Sequence, residues 1–175
     1  MRQPVIYTVG HSTRTFDELV NILHEYDISI LIDVRSMPRS RHTPQFNKQS
    51  LVQTLPKRDI TYKHLSKLGG LRGTTKDSIN KGWRNTSFRG YADYMQTTEF
   101  KEGLDELLSL AQSGTVAIMC AEAVPWRCHR SMVGDALLVH AMQVKDIFDL
   151  HKVQDEKITS FAHVNGTRIT YPDTV

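Results

Sequence analysis

Short apolar runs alternate with amphipathic stretches along most of the chain, the rhythm of a parallel α/β sheet. Pro4 to Val9 is β-branched and aromatic and stops at Gly10-His11-Ser12. Thr15 and Glu18 then form a capping box, with Phe16, Leu19, Val20, Leu23 and Tyr26 on one helical stripe. Ser29 to Val34 is the apolar run expected of a strand buried on both faces. A βαβ unit follows, whose crossover places His11 and the Asp33/Arg35 pair at the carboxyl edge of neighbouring strands. Open α/β sheets bind ligands at that edge.

Ser36 to Phe46, with two prolines, two arginines and a histidine (His42), reads as a loop. Asn47 to Leu55 reads as a short helix and Ile60 to Leu65 as a third strand, closed by Leu68-Gly69-Gly70. Leu71 to Arg89 has little periodicity and is expected to be a long functional loop. Tyr91 to Met95 and the series Phe100, Leu104, Leu107, Leu108 and Ala111 are helical. Thr115 to Cys120 is a fourth strand, a helix starts near Cys128, and Val144 to Leu150 is a fifth strand ending at His151. Near the end, Asn165-Gly166 between two β-rich runs signals a type I′ hairpin. The expected architecture is a single-domain, three-layer, Rossmann-like α/β fold with a mainly parallel sheet of about five strands. It occupies residues 1–152, and residues 153–175 form a C-terminal extension whose hairpin packs on the same domain.

A chain of 175 residues, 39% hydrophobic and 23% charged, suits one globular domain. It contains no run approaching the roughly 18 apolar residues of a membrane span. The start, MRQPVIYTVGHS, lacks the basic and apolar regions of a secretory signal, so a cytoplasmic location is expected. The net charge of +3 conceals a segregation: Arg35 to Arg89 holds thirteen lysines and arginines against two acidic residues, Asp59 and Asp77. Such polarity suits a phosphate-bearing or polyanionic partner, although a solvated basic surface is the plainer account. For nucleic acid, Arg72, Lys76, Lys81 and Arg84 would hold phosphates, and Trp83, with Phe46, Tyr62 and Phe88, would supply stacking platforms.

Both cysteines lie between Met119 and Ser131 (MCAEAVPWRCHRS), where an apolar run ends, the chain turns over Pro125 and a helix begins. Cys120 closes the strand, and Cys128, His129 and Arg130 open the helix. A helix N-terminus with nearby arginines lowers a thiol pKa and favours the nucleophilic thiolate. The competing account makes either cysteine a small buried hydrophobe. At the same edge, Arg35, Arg39, Arg41, Arg127, His129 and Arg130, with Ser12, Gly69 and Gly70, are candidates for holding an anion, and His11 with Glu122 or Asp33 for acid–base work. Alternatively, His11 caps the next helix, Asp33 is the structural partner of Arg35, and Arg130 pairs with Asp135 or Glu122. Six residues separate Cys120 from Arg127, one more than in cysteine-dependent phosphatases, and Glu122 and Pro125 suit a phosphate nest poorly. Cys120, Cys128, His129 and His11 could supply a zinc or iron set, but their spacing is poor and no cofactor is predicted.

The segments YTVGHS, LIDVRSMPRSR, YKHLSKLGG, FRGYADYM and MCAEAVPWRCHR, in that order, resemble the domain-of-unknown-function 488 family. The resemblance covers about Tyr7 to Leu150. It implies a Rossmann-like layered sheet and no particular reaction, and its matched positions, Pro38 among them, coincide with the edge cluster above. The expected function is a cysteine-dependent hydrolase or transferase acting on a phosphate-bearing, nucleotide or nucleic-acid substrate. The alternatives are a nucleic-acid-binding module without thiol chemistry and a metal or redox sensor.

Overall fold

Cys120 is positioned by a six-stranded, mostly parallel sheet in the computed structural model, which describes residues 4–173. The strands are β1 (Val5–Gly10), β2 (Ile30–Asp33), β3 (Thr61–His64), β4 (Val116–Cys120), β5 (Gln143–Asp149) and β6 (Lys152–Asp155). The helices are α1 (Phe16–Glu25), α2 (Lys48–Thr54), α3 (Thr86–Tyr94), α4 (Thr98–Ser113) and α5 (Arg130–Val139). The short strands β7 (His163–Asn165) and β8 (Arg168–Thr170) pair separately.

The strand order is β3-β2-β4-β1-β5-β6. β1 and β2 are therefore not neighbours, as the βαβ reading expected: β4 lies between them and pairs in parallel with both. The order places the end of β4 at the centre of the sheet, flanked by the ends of β1 and β2. Leu19, Val20 and Leu23 of α1 and Leu51 of α2 pack with Leu31, Ala117 and Met119 on one face. Tyr91 of α3, Phe100 and Leu104 of α4 and Met132 and Val133 of α5 pack with Ile32, Ile118 and Cys120 on the other.

Thr15 and Glu18 cap α1 reciprocally, as their spacing predicts. β6 departs from the expectation that β5 is the last strand of the sheet. Its residues Lys152, Val153, Gln154 and Asp155 form an antiparallel edge strand, where the exposed face leaves little apolar signal. Helix α3 starts five residues before Tyr91, within the expected loop, because the Asn85 side chain accepts from the Ser87 and Phe88 amides. In the hairpin, Asn165 pairs with Arg168, so the turn is Gly166-Thr167, and of the two only Gly166 has positive φ (64°). A type I′ turn needs two positive φ angles, so this turn fits the type II′ pattern instead.

Residues beyond the expected boundary at 152 join the core. Ile169 and Tyr171 are buried, and Asn80 Oδ1 accepts from the Tyr171 amide at 2.8 Å. Asp135 of α5 accepts from Thr159 Oγ1 and Tyr171 Oη, both at 2.7 Å. Glu156, after β6, has its carboxyl against Gly134 of α5. The residue is half-buried overall, but its Oε2 is sealed and has no hydrogen-bond partner among the described residues. Desolvation first, then Asp146 and Asp135, pushes its pKa from 4.5 up to about 10. Because the folded value is the higher, this contribution to stability is complete below about pH 4.5 and is lost as pH rises toward about 10. The slope reaches at most about 1.4 kcal/mol per pH unit. Urea midpoints should therefore fall between about pH 6 and about pH 9, and Glu156→Gln should flatten the fall. A slope unchanged in the variant would assign the pH dependence elsewhere.

Candidate active site

The site is built where β4 ends and the chain returns to α5. Cys120 pairs in register with Gly10 of β1, and side-chain alternation turns its sulfur toward the layer of α3, α4 and α5. A Cβ at Gly10 would strike the Glu122 carbonyl, so only glycine lets β1 approach this loop so closely. A 3-10 turn over Pro125–Arg127 then brings Cys128 back. Helix α5 begins at Arg130 and not at Cys128, because Cys128 is extended (φ −142°). The Arg130 amide donates to Cys128 Sγ at 3.4 Å.

Both thiols are buried and unbridged, and both line the same cavity. Desolvation alone would raise the Cys120 pKa, but the hydrogen bond from Cys128, the Arg130 charge and the Glu122 backbone hold it down to about 7. Cys128 moves upward, through its contact with Cys120 and its own burial. The pair therefore carries one readily ionised thiol. His129 completes the group: Nε2 lies 2.8 Å from the Val34 carbonyl and Nδ1 lies 3.5 Å from Cys128 Sγ. Donation from Nε2 leaves the Nδ1 lone pair facing the thiol. Desolvation lowers the His129 pKa to about 4, so the ring is a neutral contact to Cys128.

Arg130 is fully buried (0% exposed), with Nη1 donating to Thr8 Oγ1 at 2.8 Å and Nη2 to the Glu122 carbonyl at 3.2 Å. Among the described residues its Nε has no hydrogen-bond partner. These contacts replace the expected pairing with the Asp135 or Glu122 carboxylate. Thr8 in turn donates to Asp146.

Asp33 and Arg35 form the second half of the edge. Arg35 holds Asp33 through Nε at 2.8 Å and Nη2 at 2.7 Å, and donates to the Phe46 carbonyl at 2.6 Å and to His11 Nε2 at 3.2 Å. Asp33 also accepts from the Arg35 amide and from Tyr62 Oη. His11 stacks on Phe46 and donates from Nδ1 to the Ser12 carbonyl at 2.9 Å. Burial and Arg35 lower its pKa, while the Ser12 carbonyl works against them. The ring is thus a neutral link with both nitrogens occupied. Among the expected acid–base and anion-holding residues, His11, Asp33 and Arg35 instead form a brace across the end of β4.

The thiols lie in a cavity of about 310 Å³ bounded by Cys120, Glu122, Arg127, Cys128, His129 and Tyr91. Met37 (64% exposed) and Leu71 (78% exposed, φ 60°) lie at its rim. Gly70 lines the cavity, and both glycines are closely enclosed: a Cβ at Gly69 would strike Ser36, and one at Gly70 would stand 2.9 Å from His129 Nδ1. Ser12 sits at positive φ (49°), its amide donating to the Ala121 carbonyl. Glu122 and Arg127 are exposed and line the cavity, whereas Arg39 and Arg41 are exposed on the neighbouring loop. Among the described residues, no three metal-ligating side chains converge, and the considered set of Cys120, Cys128, His129 and His11 does not assemble. Thr8, Tyr62, Gly10 and the Val34 and Phe46 carbonyls are the contributors that sequence reasoning missed. A polar Thr8 within an apolar strand was the available signal.

The basic loop is tied down. Arg72 donates to the Gly69 and Ser66 carbonyls and lies over the Tyr94 ring at 3.7 Å. Thr74, Ser78 and Asn80 all donate to Asp93. Trp83 packs on Phe88, Phe161 and Tyr171, so it is part of an internal aromatic cluster and not an open stacking platform. Phe46 is buried and Tyr62 is bound to Asp33, whereas Lys76, Lys81 and Arg84 are exposed.

These features define a three-layer α/β protein with a dithiol at the carboxyl edge of its sheet. The chain belongs to the domain of unknown function DUF488 family, whose model matches residues 15–137. No curated protein and no solved structure matches the chain. Among the described residues, no helix is long and apolar enough to cross a membrane.

Proposed function

We propose that this protein is a cysteine-dependent hydrolase or transferase in which Cys120 attacks an electrophilic centre of an anionic, phosphate-bearing substrate. The observation that carries this reading is a thiol held near neutrality at the floor of an open cavity. The thiolate forms a bond to the electrophile, and the leaving group departs with its electron pair and takes up a proton. Water or a second acceptor then releases Cys120. With His11 and Asp33 fully engaged, Glu122 is the remaining carboxylate at the cavity for proton transfer, and Arg127 is the exposed cation for the substrate anion. A nucleotide or similarly compact molecule suits this arrangement better than a nucleic-acid strand, because Trp83, Phe46 and Tyr62 are engaged within the fold.

Alkylation by an anionic and a neutral reagent tests the assignment. Relative to a free thiol, Cys120 should favour iodoacetate over iodoacetamide about fivefold at low salt. Arg127→Glu should abolish the preference, and inorganic phosphate should protect the wild type. A reagent ratio equal to that of the free thiol and unaffected by Arg127→Glu would refute anion recognition at this site.

A further inference from the structure

We propose that Cys120 and Cys128 form a reversible redox couple in which Cys120 reacts with a hydroperoxide and Cys128 resolves the product as an intramolecular disulfide. The inference rests on the same reactive Cys120 and adds a role for its partner, which the group-transfer reading leaves idle. The two thiols come from different elements, the end of β4 and the segment before α5, yet both are free and line the same cavity. Both also belong to the same buried cluster, so a disulfide, with its sulfurs about 2.05 Å apart, would join side chains of a single site. Two groups surround Cys128 in ways that a packing cysteine does not require. The Arg130 amide points at its sulfur from the helix N-terminus, and His129, with its Nε2 on the Val34 carbonyl, turns a lone pair toward it. The first stabilises negative charge on sulfur, and the second sets an uncharged polar ring against it.

In the first step the Cys120 thiolate attacks the terminal peroxide oxygen. The S–O bond forms, the O–O bond breaks, and the departing alkoxide or hydroxide takes a proton from solvent, leaving the sulfenic acid. In the second step Cys128 sulfur attacks Cys120 sulfur. The S–S bond forms, the S–O bond breaks, and hydroxide leaves with the Cys128 proton as water. Two electrons pass from the thiols to one peroxide, and an external dithiol restores the pair.

The test is titration of the reduced full-length protein with hydrogen peroxide, followed by thiol counting and peptide mapping by mass spectrometry. The expected product is a monomer with a Cys120–Cys128 disulfide, formed with one peroxide consumed per protein and reversed by dithiothreitol. Cys128→Ser should stop at a sulfenic acid on Cys120 that dimedone traps. In the wild type, a stable dimedone adduct, a sulfinic acid with Cys128 still free, or no reaction would each overturn the proposal. Rapid alkylation of Cys120 alongside any of these results would overturn the redox couple alone and leave the group-transfer reading standing. Slow alkylation with no peroxide reaction would remove both.

Discussion

Asp33→Ala is expected to destabilise the protein by about 3–5 kcal/mol, because it leaves the buried guanidinium of Arg35 without its carboxylate. Asp33 is fully buried at the end of β2, and it accepts from Arg35 and from Tyr62 of the adjacent strand. Its loss unsatisfies donors on two strands and loosens the Arg35 contact to His11 that spans β4. Against a typical total of about 5–15 kcal/mol, such a loss is a large share of the stability. With a slope of about 2 kcal/mol per molar urea, the unfolding midpoint should fall by about 2 M. The double variant Asp33→Leu with Arg35→Met removes both charges and should lose less than the single variant. A single-variant loss below about 1 kcal/mol would show that the pair is not the brace its geometry describes.

Arg130→Met should slow alkylation of Cys120 near pH 7 about fivefold, the effect at that pH of raising the thiol pKa by one unit from about 7. The cation is fully buried, and its charge acts with the Cys128 thiol to offset the desolvation of Cys120. Removing it while keeping a side chain of similar length leaves desolvation less opposed, so the pKa rises and the thiolate fraction at neutrality falls. Arg130→Lys keeps the charge and should retain most of the reactivity, which separates charge from packing. An unchanged rate in a folded Arg130→Met variant would assign the low pKa to Cys128 and the Glu122 backbone.

Much of this frame was legible in the chain. The apolar runs located β1 to β5, and the placement of Cys120 at a strand end and Cys128 before a helix located the chemistry. Even the direction of Cys120 follows from parity, since it alternates with Ile118 and Val116 on one side of β4. Strand order was not legible, because pairing between distant segments leaves no local trace, and β4 inserts between β1 and β2. β6 escaped because an exposed edge strand needs no apolar alternation. The basic region misled in a different way. Trp83 sits among cations in sequence, yet Phe161 and Tyr171, far along the chain, fold over it. Likewise, Arg35 and Arg130 carry the charge expected of anion ligands, but buried acceptors at Asp33, Phe46, Thr8 and Glu122 already hold them.

The central claim is that Cys120 carries a thiolate near neutrality. The most direct measurement is the pH dependence of iodoacetamide labelling of the folded protein, with mass spectrometry to assign the site. The account predicts that Cys120 labels first, with an apparent pKa of about 7, and that Cys128 stays protected until Cys120 is blocked or the protein unfolds. Labelling of Cys120 only above about pH 8.5, the range of an ordinary thiol, would contradict it.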